Sequence, residues 1–396
     1  MMRFGRNNVC YAKVRPVTTS SPCRSLYVHV PFCRRLCGYC DFYSRVLDPS
    51  AVTPFVDAVL QELNEYADRL PLRLDTIYVG GGTPTVLPPS DLRRLLVAFR
   101  KHAFSADELE FSVEANPATV TDDVAATLMA AGVNRVSLGA QSFEAAELQA
   151  LDRTHQPNEV GQTVAKCRNV GVRQISLDLI FGIPGQTPAS WLRTLQTALA
   201  LHPDHLSCYG LTYEPGTPLR ERLDTGLVQR VDADLEADMY ETALDVLPAA
   251  GYAQYEISNF ARPGAECRHN LRYWHNEPYL GLGPAAAGFI EEVRYKNVAD
   301  TAAYVQAVQE GRSPRTEEEC LPPDRRARET AMLSLRLTEG IDRRHFERRF
   351  GQDPAVLFSQ AIHQHMADGL LVMDEQSIRL THAGLLLADT VVTDFL

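Results

Sequence analysis

The sequence predicts an α/β protein: a partial parallel (β/α)6 barrel followed by a C-terminal winged-helix-like α+β domain. Three observations predict it. From Ser25 onward, β-rich runs alternate with helical patterns, so that six strands are separated by five helices. Runs such as Ile175-Ser176-Leu177-Asp178-Leu179-Ile180 read as near-continuous, which suits strands buried on both faces of a parallel sheet. Beyond Pro322-Pro323 the pattern changes to helices and a short ribbon.

In order, the strands read as 25–30, 75–79, 110–114, 135–138, 174–180 and 205–213. Helices with apolar residues at three- and four-residue steps fill 52–70, 89–103, 121–131, 158–170 and 189–201. An amphipathic helix over 232–247 and a strand over 252–257 follow. The small-residue run Gly281-Leu282-Gly283-Pro284-Ala285-Ala286-Ala287-Gly288 implies close approach. A helix over 301–310 leads through Gly311-Arg312-Ser313-Pro314 into a linker ending near Pro322-Pro323. The tail reads as helices over 325–335, 342–350 and 354–368, short strands over 370–372 and 378–380, and a last helix. The chain therefore divides into a flexible leader (1–24), a barrel (25–260), a barrel extension with linker (261–321) and a terminal domain (322–396).

A net charge of −11 argues against a general nucleic-acid surface, which needs Lys and Arg to neutralise phosphates. The terminal domain mixes its arginines with Glu329, Glu339, Glu347 and Asp342, so a lid or partner surface suits it better than DNA. No apolar run approaches the roughly 18 residues of a membrane span. The opening residues carry Arg3, Arg6, Lys13, Arg15 and Arg24, and no acid precedes Asp41. Cytoplasm is the first expectation and a mitochondrial transit segment the alternative.

The densest chemistry lies in Cys33-Arg34-Arg35-Leu36-Cys37-Gly38-Tyr39-Cys40, directly after the first strand. With nine cysteines in 396 residues, chance yields about 0.005 occurrences of this spacing. Three thiolates holding a four-iron cluster leave one iron open to an exogenous ligand. Against this stand a zinc site completed by Cys23 or His29, and three unrelated core cysteines. The spacing CxxxCxxC resembles that of the radical S-adenosylmethionine (SAM) superfamily, which implies a radical SAM barrel. It also implies a 4Fe-4S cluster on Cys33, Cys37 and Cys40, with SAM chelated at the open iron.

Chemistry in a parallel barrel sits at the carboxyl ends of the strands. Gly80-Gly81-Gly82-Thr83 follows the second strand, where a run without β-carbons is either a ligand contact surface or a plain flexible turn. Glu114 with Asn116, Gln141, Arg153 and Asp178 stand at or past later strand ends. One such group can be a structural ion pair; several around one rim make a polar pocket.

The resemblance narrows over Leu26-Tyr27-Val28-His29-Val30-Pro31-Phe32-Cys33, the Gly-rich run, Asp178-Leu179-Ile180-Phe181-Gly182-Ile183-Pro184-Gly185 and Glu214-Pro215-Gly216-Thr217. These resemble the branch containing oxygen-independent coproporphyrinogen III oxidase. By motif position the resemblance implies that Tyr27, Gly81, Glu114 and Thr212 contact the cofactor at the open iron. It implies that Tyr39, Gly82, Thr83, Gln141, Arg153 and Asp178 contact a second SAM site or a single remodelled one. Two departures separate the chain from the oxidase. The oxidase has a further cysteine where Phe42 stands here, and His269-Asn270-Leu271-Arg272-Tyr273-Trp274 is similar to the HNxxYW signature of HemW-type haem chaperones.

His269 is thereby a candidate axial ligand to haem iron, with Tyr273 and Trp274 offering apolar faces to a porphyrin. The other reading is a structural histidine beside an aromatic pair, and His275 is a neighbouring candidate. The resemblance implies a haem chaperone that retains cluster and SAM and delivers haem to membrane-bound respiratory haemoproteins. The rival is radical decarboxylation of porphyrinogen propionates.

Overall fold

The structure, a computed structural model, describes residues 22–396. The expected leader falls almost wholly on residues 1–21, outside those described. Its last two positions already belong to the first strand, β1 (Cys23–Val30).

The remaining barrel strands are β2 (Leu72–Gly81), β3 (Glu110–Ala115), β4 (Arg135–Gln141), β5 (Gln174–Phe181) and β6 (His205–Gly210). They pair in parallel in sequence order. Helices α1 (Pro49–Ala67), α2 (Pro89–Arg100), α3 (Asp122–Ala130), α4 (Ala145–Ala150), α5 (Pro157–Val170) and α6 (Pro188–Ala200) lie between them. Four of these begin with Pro at the first helical turn, where its fixed φ suits the helix and its missing N–H removes nothing. That device moves the first helix from the expected start at 52 back to Pro49, where the Asp48 side chain accepts from the Ser50 N–H at 2.9 Å.

Burial in the strands is near-continuous, as expected, but the polarity of the buried residues alternates. The outward residues Leu26, Val28, Ile77, Val79, Phe111, Val113, Val136, Leu138, Ile175, Leu177 and Leu206 form the apolar core under the helices. The inward positions are polar: Ser25 and Tyr27, Thr76 and Tyr78, Glu110, Ser112 and Glu114, Arg135 and Ser137, Ser176 and Asp178, His205 and Ser207. Barrels are ordinarily filled by branched apolar side chains. A polar lumen leaves the fold to the outer layer and frees the inside for polar chemistry.

Beyond β6 come α7 (Pro218–Asp224), α8 (Ala233–Ala249) and the antiparallel pair β7 (Ala253–Glu256) and β8 (Asn259–Ala261). Helix α9 (Arg268–Trp274) carries the His269 motif. Strand β9 (Leu280–Leu282) then adds in parallel to the free edge of β1, giving a nine-stranded sheet in the order β9-β1-β2-β3-β4-β5-β6-β8-β7. The small-residue run owes its composition to this packing: a Cβ at Gly281 would lie 1.9 Å from the Ala287 carbonyl oxygen, and one at Gly283 2.5 Å from that of His29.

Strands β10 (Ala287–Ile290), β11 (Val293–Asn297) and β12 (Arg315–Cys320) form a second, antiparallel sheet, with α10 (Thr301–Gln309) before the last strand. The expected linker is therefore partly a strand. It is an edge strand on which Glu317 and Glu318 are both exposed, and charge masks such an edge in the sequence. The tail has its own core around Leu335, Phe346, Phe358, Ile362, Ile378 and Phe395. Its elements are α11 (Pro323–Ser334), β13 (Ile341–Asp342), α12 (Arg343–Phe350), α13 (Pro354–Leu357), α14 (Ser359–Ala367), β14 (Leu371–Met373) and β15 (Ser377–Leu380). The expected helix over 354–368 is broken at Phe358, whose φ of −111° leaves the helical range. Two short helices close the chain where one was expected.

Candidate functional site

A cavity of about 560 Å³ opens at the carboxyl ends of the barrel strands and runs down the polar lumen. Cys33, Cys37 and Cys40 stand on its rim, on the loop that leaves β1. That loop is tied down by backbone bonds from Arg45 to Pro31 and from Leu47 to Cys33. Gly38 is required within it, because a Cβ there would meet Asp152 Oδ2 at 2.2 Å, and Asp152 is held by Arg222 at 2.5 Å.

Two polar groups face the sulfurs. The Thr83 hydroxyl lies 3.6 Å from Cys33 Sγ, and the Arg153 guanidinium 3.6 Å from Cys37 Sγ. Arg153 also donates to the Gly139 carbonyl at 2.5 Å, while its Nε has no partner among the described residues. Burial pushes the Cys40 thiol up to about 11 and raises Cys33 as well. Among the described residues no three His, Cys, Asp or Glu groups converge on a single metal ion. A cluster needs no such convergence, since each thiolate meets a different iron. A three-thiol loop beside a guanidinium suits an anionic cluster one protein ligand short.

The Gly-rich run is explained by the protein itself. A Cβ at Gly80 would lie 2.7 Å from the Glu114 carboxyl, and one at Gly81, which has φ +105°, 2.7 Å from the His29 ring. The amides are also committed: Gly81 N–H to Glu114 Oε2 at 3.0 Å, Gly82 N–H to the Val30 carbonyl at 2.8 Å, Thr83 N–H to the Phe32 carbonyl at 2.7 Å. The Gly82 and Thr83 amides thus clasp the chain as it leaves β1 for the cysteine loop, while Gly81, Gly82 and Thr83 border the cavity.

Glu114 accepts from the Tyr78 hydroxyl at 2.8 Å and from Gly81. Burial, with Asp178 nearby, raises its carboxyl to about 7. Asp178 is raised too, by burial, against hydroxyl donors including Ser137 at 3.0 Å. Gln141 sits at an irregularity in the β4–β5 pairing with φ +63°, a conformation that L residues hold only when their surroundings impose it. Tyr39 packs beside the small apolar cluster of Leu151, Ile183, Leu211 and Leu219, and Thr212 is on the loop after β6.

Tyr39, Gly81, Gly82, Thr83, Glu114, Gln141, Arg153, Asp178 and Thr212 thus border one cavity with the three cysteines. Two expected residues do not line it. Tyr27 stands behind the wall, its hydroxyl 3.0 Å from His29 Nδ1 and its ring stacked on Tyr78.

His269 is fully buried beneath the lumen. Its Nδ1 is 2.8 Å from the Thr76 hydroxyl, its Nε2 2.8 Å from the Tyr273 hydroxyl, and its ring stacks on Tyr78. Both nitrogens are engaged, so this conformation offers neither to a metal. Burial lowers its pKa to about 3, which keeps the imidazole neutral. Glu110 at the start of β3 fixes α9 by accepting from Arg268 N–H and His269 N–H, each at 2.9 Å. The motif helix is thereby a plug at the amino end of the strands, opposite the cysteine rim. Trp274 stacks under the Arg336 guanidinium of the terminal domain and does not line this cavity.

The sequence reading missed the lower wall: Tyr78, Arg135, Ser137, Ser176, His205 and Ser207. The signal was present as polar residues at every second position of the strands, and was obscured by treating those strands as uniformly apolar.

Comparison with known proteins agrees with this architecture. The Radical SAM superfamily profile matches residues 27–198 and the HemN C-terminal domain profile residues 321–387. The chain is 36% identical to Heme chaperone HemW of Bacillus subtilis, covering 94% of this chain and 99% of that one. It is 38% identical to the Mycobacterium tuberculosis protein of the same name, over 94% of each. It is 33% identical to the bovine mitochondrial radical S-adenosyl methionine domain-containing protein 1, over 94% of this chain and 87% of that one. The solved coproporphyrinogen III oxidase of Escherichia coli superposes with a TM-score of 0.83 at 26% identity, over 94% and 90% of the two chains. With a family profile on each domain and HemW relatives matched over nearly their full lengths, the chain belongs to the HemW family of the radical SAM superfamily.

Proposed function

We propose that this protein is a haem chaperone that carries a 4Fe-4S cluster and S-adenosylmethionine and passes haem to membrane-bound respiratory haemoproteins. The observation that carries the reading is a three-cysteine rim at one end of a polar lumen whose other end is closed by the helix bearing His269, in a chain whose HemW-named relatives match it nearly end to end. Cys33, Cys37 and Cys40 would hold the cluster, which, when bound, can pass an electron to the sulfonium of the adenosyl compound. Glu114 offers a carboxylate to the ammonium of that compound, Asp178 and Gln141 offer hydrogen-bond partners, and Arg153 keeps a positive charge beside the sulfurs.

His269 would serve haem iron only in an opened state, in which Tyr273 has released Nε2. Its neutrality removes competition from protons. The terminal domain bears on that opening, because Arg349 donates to the His275 and Asn276 carbonyls at 2.8 and 2.6 Å, just past the end of α9. No helix among the described residues is long and apolar enough to cross a membrane, so delivery would proceed by docking to a membrane-bound acceptor. Cytoplasm is the proposed location, and the mitochondrial names of the vertebrate relatives support the alternative.

The second reading, oxygen-independent coproporphyrinogen III oxidase, is favoured by the superposition on that enzyme. One experiment separates them. Anaerobically reconstituted protein is given haemin, and separately coproporphyrinogen III with reductant and SAM. Saturable haem absorption without protoporphyrinogen formation is expected; porphyrinogen turnover would overturn the chaperone-only reading.

A further inference from the structure

The floor of the lumen contains a buried guanidinium with no ion-paired carboxylate among the described residues, Glu110 and Asp178 acting on it only at longer range. Arg135, the first residue of β4, is 2% exposed and lines the cavity. Its Nη1 donates to Gln174 Oε1 at 3.1 Å and to the Ala265 carbonyl at 2.8 Å. Its Nη2 has no partner among the described residues. Ser112, the registered neighbour of Arg135 on β3, is 1% exposed and does not itself line the cavity; its hydroxyl is also unpartnered among the described residues.

The acids nearby are committed elsewhere. Glu110 accepts from the Arg268 and His269 amides, and Asp178 from Ser137 and Ser176. A buried guanidinium lacking a paired carboxylate is expensive, and its planar fork matches the two oxygens of one. Apart from Asp178, which stands mid-strand, the adenosyl contacts named above lie at or beyond the strand ends, whereas Arg135 is at the strand start and so deeper in the lumen.

We infer that the floor of the barrel is a carboxylate-binding well, in which Arg135 Nη2 and the Ser112 hydroxyl take one carboxylate group of an organic ligand entering from the cysteine rim. The carboxylate has two possible sources, a propionate of haem or a separate small organic acid. The haem source rests on the function proposed above; the well itself does not.

The test uses the full chain, reconstituted anaerobically. Carbon-13 propionate is titrated and followed by saturation-transfer NMR. Haemin and haemin dimethyl ester, whose propionates carry no charge, are titrated by absorption. Each titration is repeated on Arg135→Met and Ser112→Ala, with thermal melts as the check on folding. Because Arg135 also holds the Ala265 carbonyl, Ser112→Ala and the ester comparison carry the test should Arg135→Met not fold.

If haem is the source, haemin binds about tenfold or more tighter than its diester, and that ratio shrinks severalfold in Ser112→Ala. If a small acid is the source, propionate binds saturably and weakens in the variants, while haemin and diester bind alike. Two outcomes overturn the inference: no saturable propionate signal together with equal haemin and diester affinities, or a haemin preference that neither variant changes. In both, intact haem absorption would leave the chaperone reading standing. Conversely, propionate binding without any haem binding would sink that reading and keep the well.

Discussion

His269 Nε2 lies 2.8 Å from the Tyr273 hydroxyl, one helical turn away on the same face of α9. The nitrogen proposed to meet haem iron is therefore occupied by a neighbour from its own motif. Tyr273→Phe removes the competitor and is expected to tighten haem binding about fivefold, the worth of one ordinary hydrogen bond. His269→Ala is expected to abolish the ligand-dependent haem spectrum. A haemin titration of both variants decides it, and a Tyr273→Phe protein that binds as weakly as His269→Ala would refute the release step.

Single alanine substitutions of Cys33, Cys37 or Cys40 should each reduce iron from about four atoms per chain to below about one. The buried thiols must lose protons to bind the cluster. With Cys40 pushed up to about 11, cluster assembly in the apo chain should accelerate between about pH 7 and pH 8.5. Iron analysis and the growth of cluster absorption measure both; assembly that slowed with rising pH would contradict the proton release.

Glu114 supplies a pH dependence whose sign follows from its raised carboxyl. Below about 7 the acid is protonated and cannot pair with an ammonium; above it the carboxylate can. Affinity for SAM should therefore rise severalfold from about pH 6 to about pH 8, and Glu114→Gln should flatten the profile while weakening binding at the upper end. Calorimetric titration at the two pH values is sufficient.

Arg349 joins the terminal domain to the end of the motif helix through the His275 and Asn276 carbonyls. Arg349→Ala should lower stability by about 1–3 kcal/mol, the usual worth of hydrogen bonds to a charged donor. It should also speed haem uptake if α9 must move. Urea unfolding and stopped-flow haemin mixing test the two effects independently; unchanged uptake would detach the terminal domain from gating.

Alternation and spacing carried much of this protein into its sequence. The six barrel strands, the intervening helices other than the six-residue α4, and the cysteine loop after the first strand could be read from local chemistry, because period and turn residues act within a few positions. Glu114, Asp178, Gln141 and Arg153, distant in sequence, were legible as one rim only because parallel strands must end on one side. Edge strand β9 was not legible: three residues of small and apolar side chains state no period. Charged edge strand β12 was hidden for the opposite reason, its Glu residues reading as linker.

The sequence alone determined the barrel, the three-thiol loop and the family, since each rests on residue types at short spacing. Tertiary structure decided what the motif residues face. It turned His269 inward between Thr76 and Tyr273, spent the Gly81 amide on Glu114 and the Gly82 amide on the Val30 carbonyl, and left Arg135 Nη2 without a partner among the described residues. Those outcomes depend on which side chains from remote strands share one enclosed volume, where every donor must find a partner or remain unpaired.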